Sequence, residues 1–326
     1  MRVLSATDIR RAITARDAVD AMRIAFGELS AGTATVPVRS HLESARGLML
    51  VMPAVLGNHG ALGTKVVSVF PDNPSRGAPM VQGAVLLLDA ETGRARALLD
   101  GASLTAVRTA AGSALATELL APRDADTLAV FGAGAQARSR RLREVRIVSR
   151  SETSAERLAA RLSEVADALT PELDPGPPPV VRAVRDSAEA LDGARLIVTA
   201  TSSSSPVFDA GDLVPGAHVN AVGSYRPDMQ EIDPDVLRRA RVVVDQRAAA
   251  WQEAGDLVMP LESGLIGNDA VDAELGEIVN GKAPPGPGDR DCTLFKSVGN
   301  AAQDIAIAAA ALAGAERADL GSLVPL

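Results

Sequence analysis

Val19, Met22, Phe26 and Leu29 recur at intervals of three and four residues in "DAVDAMRIAFGELSAG", and a glycine follows them. That spacing predicts an amphipathic helix with a glycine stop. The pattern then changes. "RGLMLVMPAV", "LGTKVVSVF" and "GAVLLLDAETGRARALLD" are short apolar runs bounded by Gly, Pro and Asp, and "DAETGRA" has the composition of a hairpin turn. They predict a strand-rich first domain. "SLTAVRTAAGSALATELLA" reads as a long helix of small residues, starting behind Ser103 or Thr105 as its cap and connecting two domains. From Thr127 onward short apolar runs alternate with helical stretches: "TLAVF", "VRIVS", "VVRAV", "RLIVTA", "HVNAVGS" and "RVVVD". Such alternation predicts a parallel sheet with crossover helices, a doubly wound α/β domain. "TPELDPGPPPV" and "NGKAPPGPGDRD" are expected to be surface loops within and at the end of that domain. The closing "SVGNAAQDIAIAAAALAGAERA" predicts an Ala-rich helix that packs back on the first domain.

Composition narrows the picture. At 326 residues the chain can bury two cores, and with aromatics at only 2% the interior must be built from Ala, Val and Leu. A net charge of −8 argues against a nucleic-acid or membrane-surface partner, because those need a cationic face. Cys292 is the only cysteine, so no intrachain disulfide can form and a reducing, cytoplasmic setting is expected. "MRVLSATDIRRAIT" carries charges where a signal peptide would need apolar residues, and "IAIAAAALAGA" is too short to span a bilayer. His41, His59 and His218 show no metal-ligand spacing with Cys292 or with carboxylates, and no metal is expected.

Candidate chemistry begins behind "TLAVF". Gly132, Gly134 and Ala137 form G-x-G-x-x-A directly after that predicted strand, the context that gives the motif its meaning. Glycines let a backbone approach a pyrophosphate, and the free N–H groups of the next helix point at it. Gly132, Gly134, Ala135 and Gln136 are therefore expected to touch a dinucleotide. An acidic residue at the end of the second strand would favour NAD; this chain has Ser149, Arg150 and Ser151, whose guanidinium and hydroxyls suit a 2′-phosphate. NADP(H) is favoured and NAD(H) remains possible, the alternative reading of Arg150 being a solvated strand end. Thr199, Thr201, Val222 and Gly223 fall at predicted C-terminal strand ends, where such sheets bind their cofactor, although ordinary strand-end residues would look the same. The first crossover is unusually short. Thirteen residues, Gly132 to Glu144, join "TLAVF" to "VRIVS", near the minimum for a parallel connection. The intervening helix should be short, basic and weakly anchored, with neighbours or a partner subunit covering the sheet.

Several segments together resemble the ornithine cyclodeaminase/mu-crystallin family: "VPVR", "LMLVMPA", "LGTKVV", "DAETGRARALLDGASLTAVRTAA", "FGAGAQAR", "VTATSSSSPVF", "HVNAVGSYRPDMQEID" and "LFKSVGNAAQD". The resemblance implies a Rossmann-like dinucleotide-binding domain, residues 119–299, inserted into an α+β substrate and dimerisation domain, residues 1–118 plus 300–326. It implies a homodimer. It also implies that Arg39, Lys65 and Arg108 hold a substrate carboxylate near the nicotinamide, with Arg108 touching both substrate and cofactor and with Lys65 and Arg108 catalytic. Alone, each would read as a solvated charge; together, guanidinium forks suit a planar carboxylate and a Lys beside two Arg is a fitting proton donor. Asp304 is expected to support the site. Ornithine cyclodeaminases of this family carry an Asp after "NAVG", and the matching position is Tyr225, with Asp228 three residues further on. That departure points to the branch that reduces cyclic ketimines such as Δ1-pyrroline-2-carboxylate with NAD(P)H. Conversion of L-ornithine to L-proline, and NADP(H) or small-ligand binding without turnover, stay open as alternatives. The substrate in any case is a small imino or amino acid.

Overall fold

The structure, a computed structural model, describes residues 1–132, 142–173 and 177–325. The chain begins with β1 (Arg2–Leu4), α1 (Ala6–Ala12), α2 (Ala15–Ala31), β2 (Ala34–Thr35) and β3 (Ser40–Ser44). β4 (Gly47–Leu56), β5 (Ala61–Val69), β6 (Val81–Asp89) and β7 (Ala95–Asp100) lead into the long α3 (Gly101–Leu120). β8 (Thr127–Phe131), β9 (Glu144–Val148), α4 (Glu152–Leu173), β10 (Val180–Ala183), α5 (Ser187–Leu191), β11 (Leu196–Thr199) and β12 (His218–Ala221) come next. α6 (Pro234–Arg239), β13 (Ala240–Val244), α7 (Arg247–Glu253), α8 (Gly255–Glu262), β14 (Ala273–Glu274), α9 (Leu275–Val279) and β15 (Cys292–Lys296) follow. The chain closes with α10 (Ala301–Arg317) and β16 (Ser322–Leu323). It divides into two compact units, Met1–Gly112 with Gly299–Leu326, and Ser113–Val298, and the division falls inside α3.

The first unit is built on a sheet ordered β16-β1-β7-β6-β5-β4-β2, with β3 also paired to β4. Only β1 and β7 run parallel; the other pairs are antiparallel. α10 lies across β4, β5 and β6 and against α1 and α2. Ala and Ile occupy nearly every position of its first three turns, so it is buried almost all round, as a helix apolar on every face must be. Gly314 permits one close approach, since a Cβ there would overlap the carbonyl of Ala12. α2 is stopped at both ends by local chemistry. Thr14 and Asp17 cap each other's backbone N–H groups, and Gly32 adopts a left-handed φ of 74°. Phe26, on its buried face, is fully enclosed, and cutting it back to Ala would cost about 3–5 kcal/mol. The start of α3 differs from the sequence expectation. It begins at Gly101, and the carboxylate of Asp100 accepts the Ser103 N–H at 2.8 Å, so neither Ser103 nor Thr105 is the cap. Asp100 does this better because it precedes the first free N–H groups of the helix.

The second unit carries an eight-stranded sheet ordered β10-β9-β8-β11-β12-β15-β13-β14, every neighbouring pair parallel. Strand order reverses between β8 and β11, the switch point of a doubly wound sheet. All five residues of β8 are buried because both faces are covered. Ala129, Phe131, Ile197 and Val219 enter one core, while Leu128, Val130, Val145 and Ile147 enter the other. One expectation needs correction. β15 was not foreseen as a strand, yet it inserts between β12 and β13, so "NGKAPPGPGDRD" precedes a central strand and does not end the domain. Its run "CTLFK" is short and interrupted by polar Thr, and only pairing on both sides reveals it. The short first crossover still yields a parallel pair, Thr127 opposite Glu144 through Phe131 opposite Val148. The expected short basic helix falls in residues 133–141, outside the described residues. Ala155, Leu158 and Ala159 of α4 pack on the sheet against Leu128, Val130, Val145 and Ile147.

Candidate functional site

In the second unit the switch point opens into a cavity of about 560 Å³, within the usual range for small-ligand sites. Gly132 forms part of it with φ of 104°, and a Cβ at that position would stand 2.5 Å from the carbonyl oxygen of Ala200. Only glycine allows the ends of β8 and β11 to meet so closely. Ser149, Arg150, Arg185, Thr201 and Ser203 line the cavity, and among the described residues no carboxylate does. Hydroxyls and the guanidinium of Arg150 fit a phosphorylated ligand, so the donor set suits a dinucleotide; Arg185 beside it is paired with Glu189 at 3.6 Å. Ser151 is not among the lining residues; its hydroxyl accepts the Ser154 N–H at 3.3 Å and caps α4. Thr199 is fully buried at the end of β11, and its hydroxyl has no hydrogen-bond partner among the described residues. Val222 donates its N–H to the Thr199 carbonyl at 2.9 Å, holding the strand ends in register. Gly134, Ala135 and Gln136 lie outside the described residues.

The first unit holds a separate cluster of charge. Lys65 sits in the middle of β5 opposite Met52 and Val85, on the same face as Gly63, which turns toward Ile305 of α10. Its ammonium donates to Asp304 Oδ1 at 3.0 Å and to Thr105 Oγ1 at 2.6 Å. Arg108, three residues past Thr105 on α3 and so on the same helix face, places Nε 3.6 Å from the same carboxylate oxygen and donates from Nη1 to Gln303 Oε1 at 3.0 Å. Gly299 has φ of 77°, and any side chain there would overlap the Arg108 guanidinium. Arg39 donates to the Gly299 carbonyl at 3.0 Å. Three cations thus gather about one acid. Burial, and then the positive charge of Arg108, push the Lys65 amine below its ordinary value, with Asp304 opposing them. Asp304 is itself fully buried, and its Oδ2 and the Arg108 Nε have no hydrogen-bond partner among the described residues.

Three residues of this cluster escaped the sequence reading: Thr105, which the helix pattern offered only as a cap, and Gln303 and Gly299, which stand beside Asp304 in "SVGNAAQD". Arg185 and Glu231 escaped it in the second unit. Tyr225 is 45% exposed, on the loop after β12. Asp228 is engaged by Arg226, whose Nε donates to it at 2.9 Å. Among the described residues no group of three or more His, Cys, Asp and Glu could hold a metal ion. Cys292 is buried in β15, and burial raises its thiol to about 11, which leaves it protonated and unreactive at neutral pH.

A parallel sheet reversing at a glycine turn, with a phosphate-suited cavity at the reversal, defines a dinucleotide-binding α/β unit; the first unit of the chain carries the buried cationic cluster. The chain belongs to the ornithine cyclodeaminase/mu-crystallin family, which it matches over residues 1–316. It is 37% identical over 319 residues to Delta(1)-pyrroline-2-carboxylate reductase of Bacillus cereus, covering 94% of each chain. It is 37% identical over 281 residues to ketimine reductase mu-crystallin of Mus musculus, covering 84% of this chain and 81% of that one. The solved structure of Thermococcus litoralis Delta(1)-pyrroline-2-carboxylate reductase in complex with NADH and L-proline superposes with a TM-score of 0.90 at 32% identity, covering 99% of this chain and all of that one.

Proposed function

We propose that the protein reduces a cyclic imino acid of the Δ1-pyrroline-2-carboxylate type with a nicotinamide dinucleotide, NADPH in preference to NADH. The observation that carries this reading is the cluster of Arg39, Lys65 and Arg108 around the single acid Asp304, a largely buried site with more positive than negative charge to offer a substrate carboxylate. The two reductase relatives support the reaction type. Arg108 and Arg39 hold the carboxylate. Lys65, its amine weakened by burial, keeps a proton on the imine nitrogen. Asp304 orients that amine and, being shared with Arg108, does not neutralise the site. When bound, the dinucleotide supplies the hydride that turns the C=N carbon into CH, and with the proton on nitrogen the product is the cyclic amino acid.

The finer preference for NADPH rests on Arg150, whose guanidinium lines a cavity with no acid among its described lining residues. Among the described residues the guanidinium of Arg150 makes no ion pair. Assembly as a homodimer is supported by the outer face of the first sheet, where Val38, Leu42, Met80 and Val81 are exposed and Leu42, Met49, Val66 and Phe70 line a shallow depression. Cyclodeamination of ornithine lacks its acid, since Tyr225 stands at that position and Asp228 is paired with Arg226.

The test is oxidation of NADPH and of NADH by the purified protein with Δ1-pyrroline-2-carboxylate, with L-ornithine as the contrasting substrate. Turnover of the imine with NADPH is expected, and Arg150→Ala should weaken NADPH at least about tenfold while changing NADH little. Release of ammonia from ornithine, or nucleotide binding with no imine reduced, would overturn the proposal.

A further inference from the structure

Glu231 lies in neither of the strands that form the switch point, yet it is fully buried and its two oxygens reach two different strand ends. Oε1 accepts the N–H of Thr201 at 2.5 Å and its hydroxyl at 2.8 Å. Oε2 accepts the N–H of Gly223 at 2.7 Å and that of Ser224 at 3.0 Å. Thr201 follows β11, while Gly223 and Ser224 follow β12. A Cβ on Gly223 would overlap both the Glu231 carboxylate and the Thr201 backbone, so the two loops are drawn together to a separation only glycine permits.

The carboxylate is held from behind. The Glu231 N–H donates to Asp256 Oδ1 at 2.6 Å, and Asp256 Oδ2 accepts from Lys296 Nζ at 2.7 Å, both of these side chains fully buried. Lys296 ends β15, the strand beside β12. A relay from Lys296 through Asp256 to Glu231 therefore ties the loops after β11 and β12 to the middle of the sheet. The charge of Glu231 is met by four donors, and no Lys or Arg side chain among the described residues pairs with it. An anion so buried is costly unless its donors are already in place, which means the loops must be ordered before any ligand arrives.

We infer that Glu231 is a positioning residue that preforms the dinucleotide crevice, fixing the Thr201 and Gly223 loops at one separation in the free protein. Thr201 lines the same cavity as Gly132 and Arg150, so the clamp acts on the crevice wall without touching the ligand. The inference rests on the reading above that this crevice takes a nicotinamide dinucleotide.

The test combines NADPH titration with amide hydrogen exchange of the free full-length protein, for the wild type, Glu231→Gln, Thr201→Val and Thr201→Ser. A Gln side chain must turn its NH2 toward N–H donors on one side, releasing one loop. Glu231→Gln is expected to speed exchange at Thr201, Gly223 and Ser224 and to raise the NADPH Kd and KM about tenfold. The kcat at saturating NADPH should stay within about threefold, because the chemistry is untouched. Thr201→Val, which removes one of the four bonds and spares the buried acid, should weaken NADPH about threefold, and Thr201→Ser should restore it. Faster exchange with unchanged NADPH affinity overturns the inference and leaves the reductase reading standing. A wild type that binds neither NADPH nor NADH overturns the reductase reading, and with it the purpose assigned to the clamp.

Discussion

Each unit buries one Lys–Asp pair, and the two pairs are opposites. In the second unit Asp256 uses every available direction: Oδ2 takes Lys296 at 2.7 Å, and Oδ1 takes the N–H groups of Glu231 and Ile232 at 2.6 and 3.0 Å. In the first unit Asp304 takes Lys65 at 3.0 Å and approaches Arg108 at 3.6 Å with one oxygen, while its other oxygen and the Arg108 Nε go without hydrogen bonds among the described residues. Native proteins rarely leave buried polar atoms unsatisfied unless the site has another use. The saturated pair holds loops in place. The unsaturated one, with two further cations around a single acid, has capacity to spare for a ligand, and that capacity is what a carboxylate-binding site needs.

This contrast breaks first at Lys65. Lys65→Met should lower imine reduction by about three orders of magnitude, the scale of a lost proton donor, while leaving the thermal midpoint unchanged or slightly higher. Asp304 keeps Arg108 as its counter-ion in that variant, and the burial that lowers the Lys65 amine no longer has to be borne. In the wild type the rate should fall as pH rises through the depressed Lys65 value, below the ordinary 10.5, because only the protonated amine can donate. Near-normal turnover of Lys65→Met by steady-state kinetics would end the assignment.

Asp256→Asn should do the reverse. It leaves Lys296 buried without its acid and should cost about 3–5 kcal/mol, read as a lower denaturant midpoint. Asp304→Asn should cost far less stability and much more activity. Equal losses of stability in the two variants would erase the distinction between a structural and a functional pair.

A third, smaller effect sharpens the comparison from β9, the strand next to the edge of the second sheet. Glu144 accepts from Arg146 at 2.9 Å and from Arg182 at 2.8 Å, and these bonds, Arg146 first, hold its carboxyl down to about 2 against an ordinary value of 4.5. A depressed carboxyl contributes stability that is present above the unfolded value and lost as pH falls toward the folded one. Glu144→Gln should therefore cost about 1–2 kcal/mol at neutral pH, a figure reduced for the partly exposed Arg182, with the cost fading between pH 4.5 and about 2. A penalty independent of pH in urea titrations would show that packing, not charge, makes that contact.

Much of this arrangement was legible in the chain itself. The Gly32 stop of α2, the strand runs around Lys65, and the alternation that becomes a doubly wound sheet are local patterns, read within a few residues of each other. β15 was harder because "CTLFK" acquires its identity only from β12 and β13 on either side. The start of α3 misled because Ser103 and Thr105 are both good caps, and only the fold shows that Asp100 has already taken that role. Thr105 is thereby free to hold Lys65.

By itself the sequence determined the order and kind of the elements, the glycine turn at Gly132, and the residue types set aside for chemistry, because helix and strand periods and turn residues act over short range. The tertiary structure alone decided which groups share a charge. Lys65 and Asp304 are 239 residues apart, and Thr201 and Glu231 are 30 apart on different loops. Whether a buried acid is saturated, like Asp256, or left with an open oxygen, like Asp304, depends on where distant backbone N–H groups arrive, and that is settled by strand order and helix packing, which no local pattern encodes.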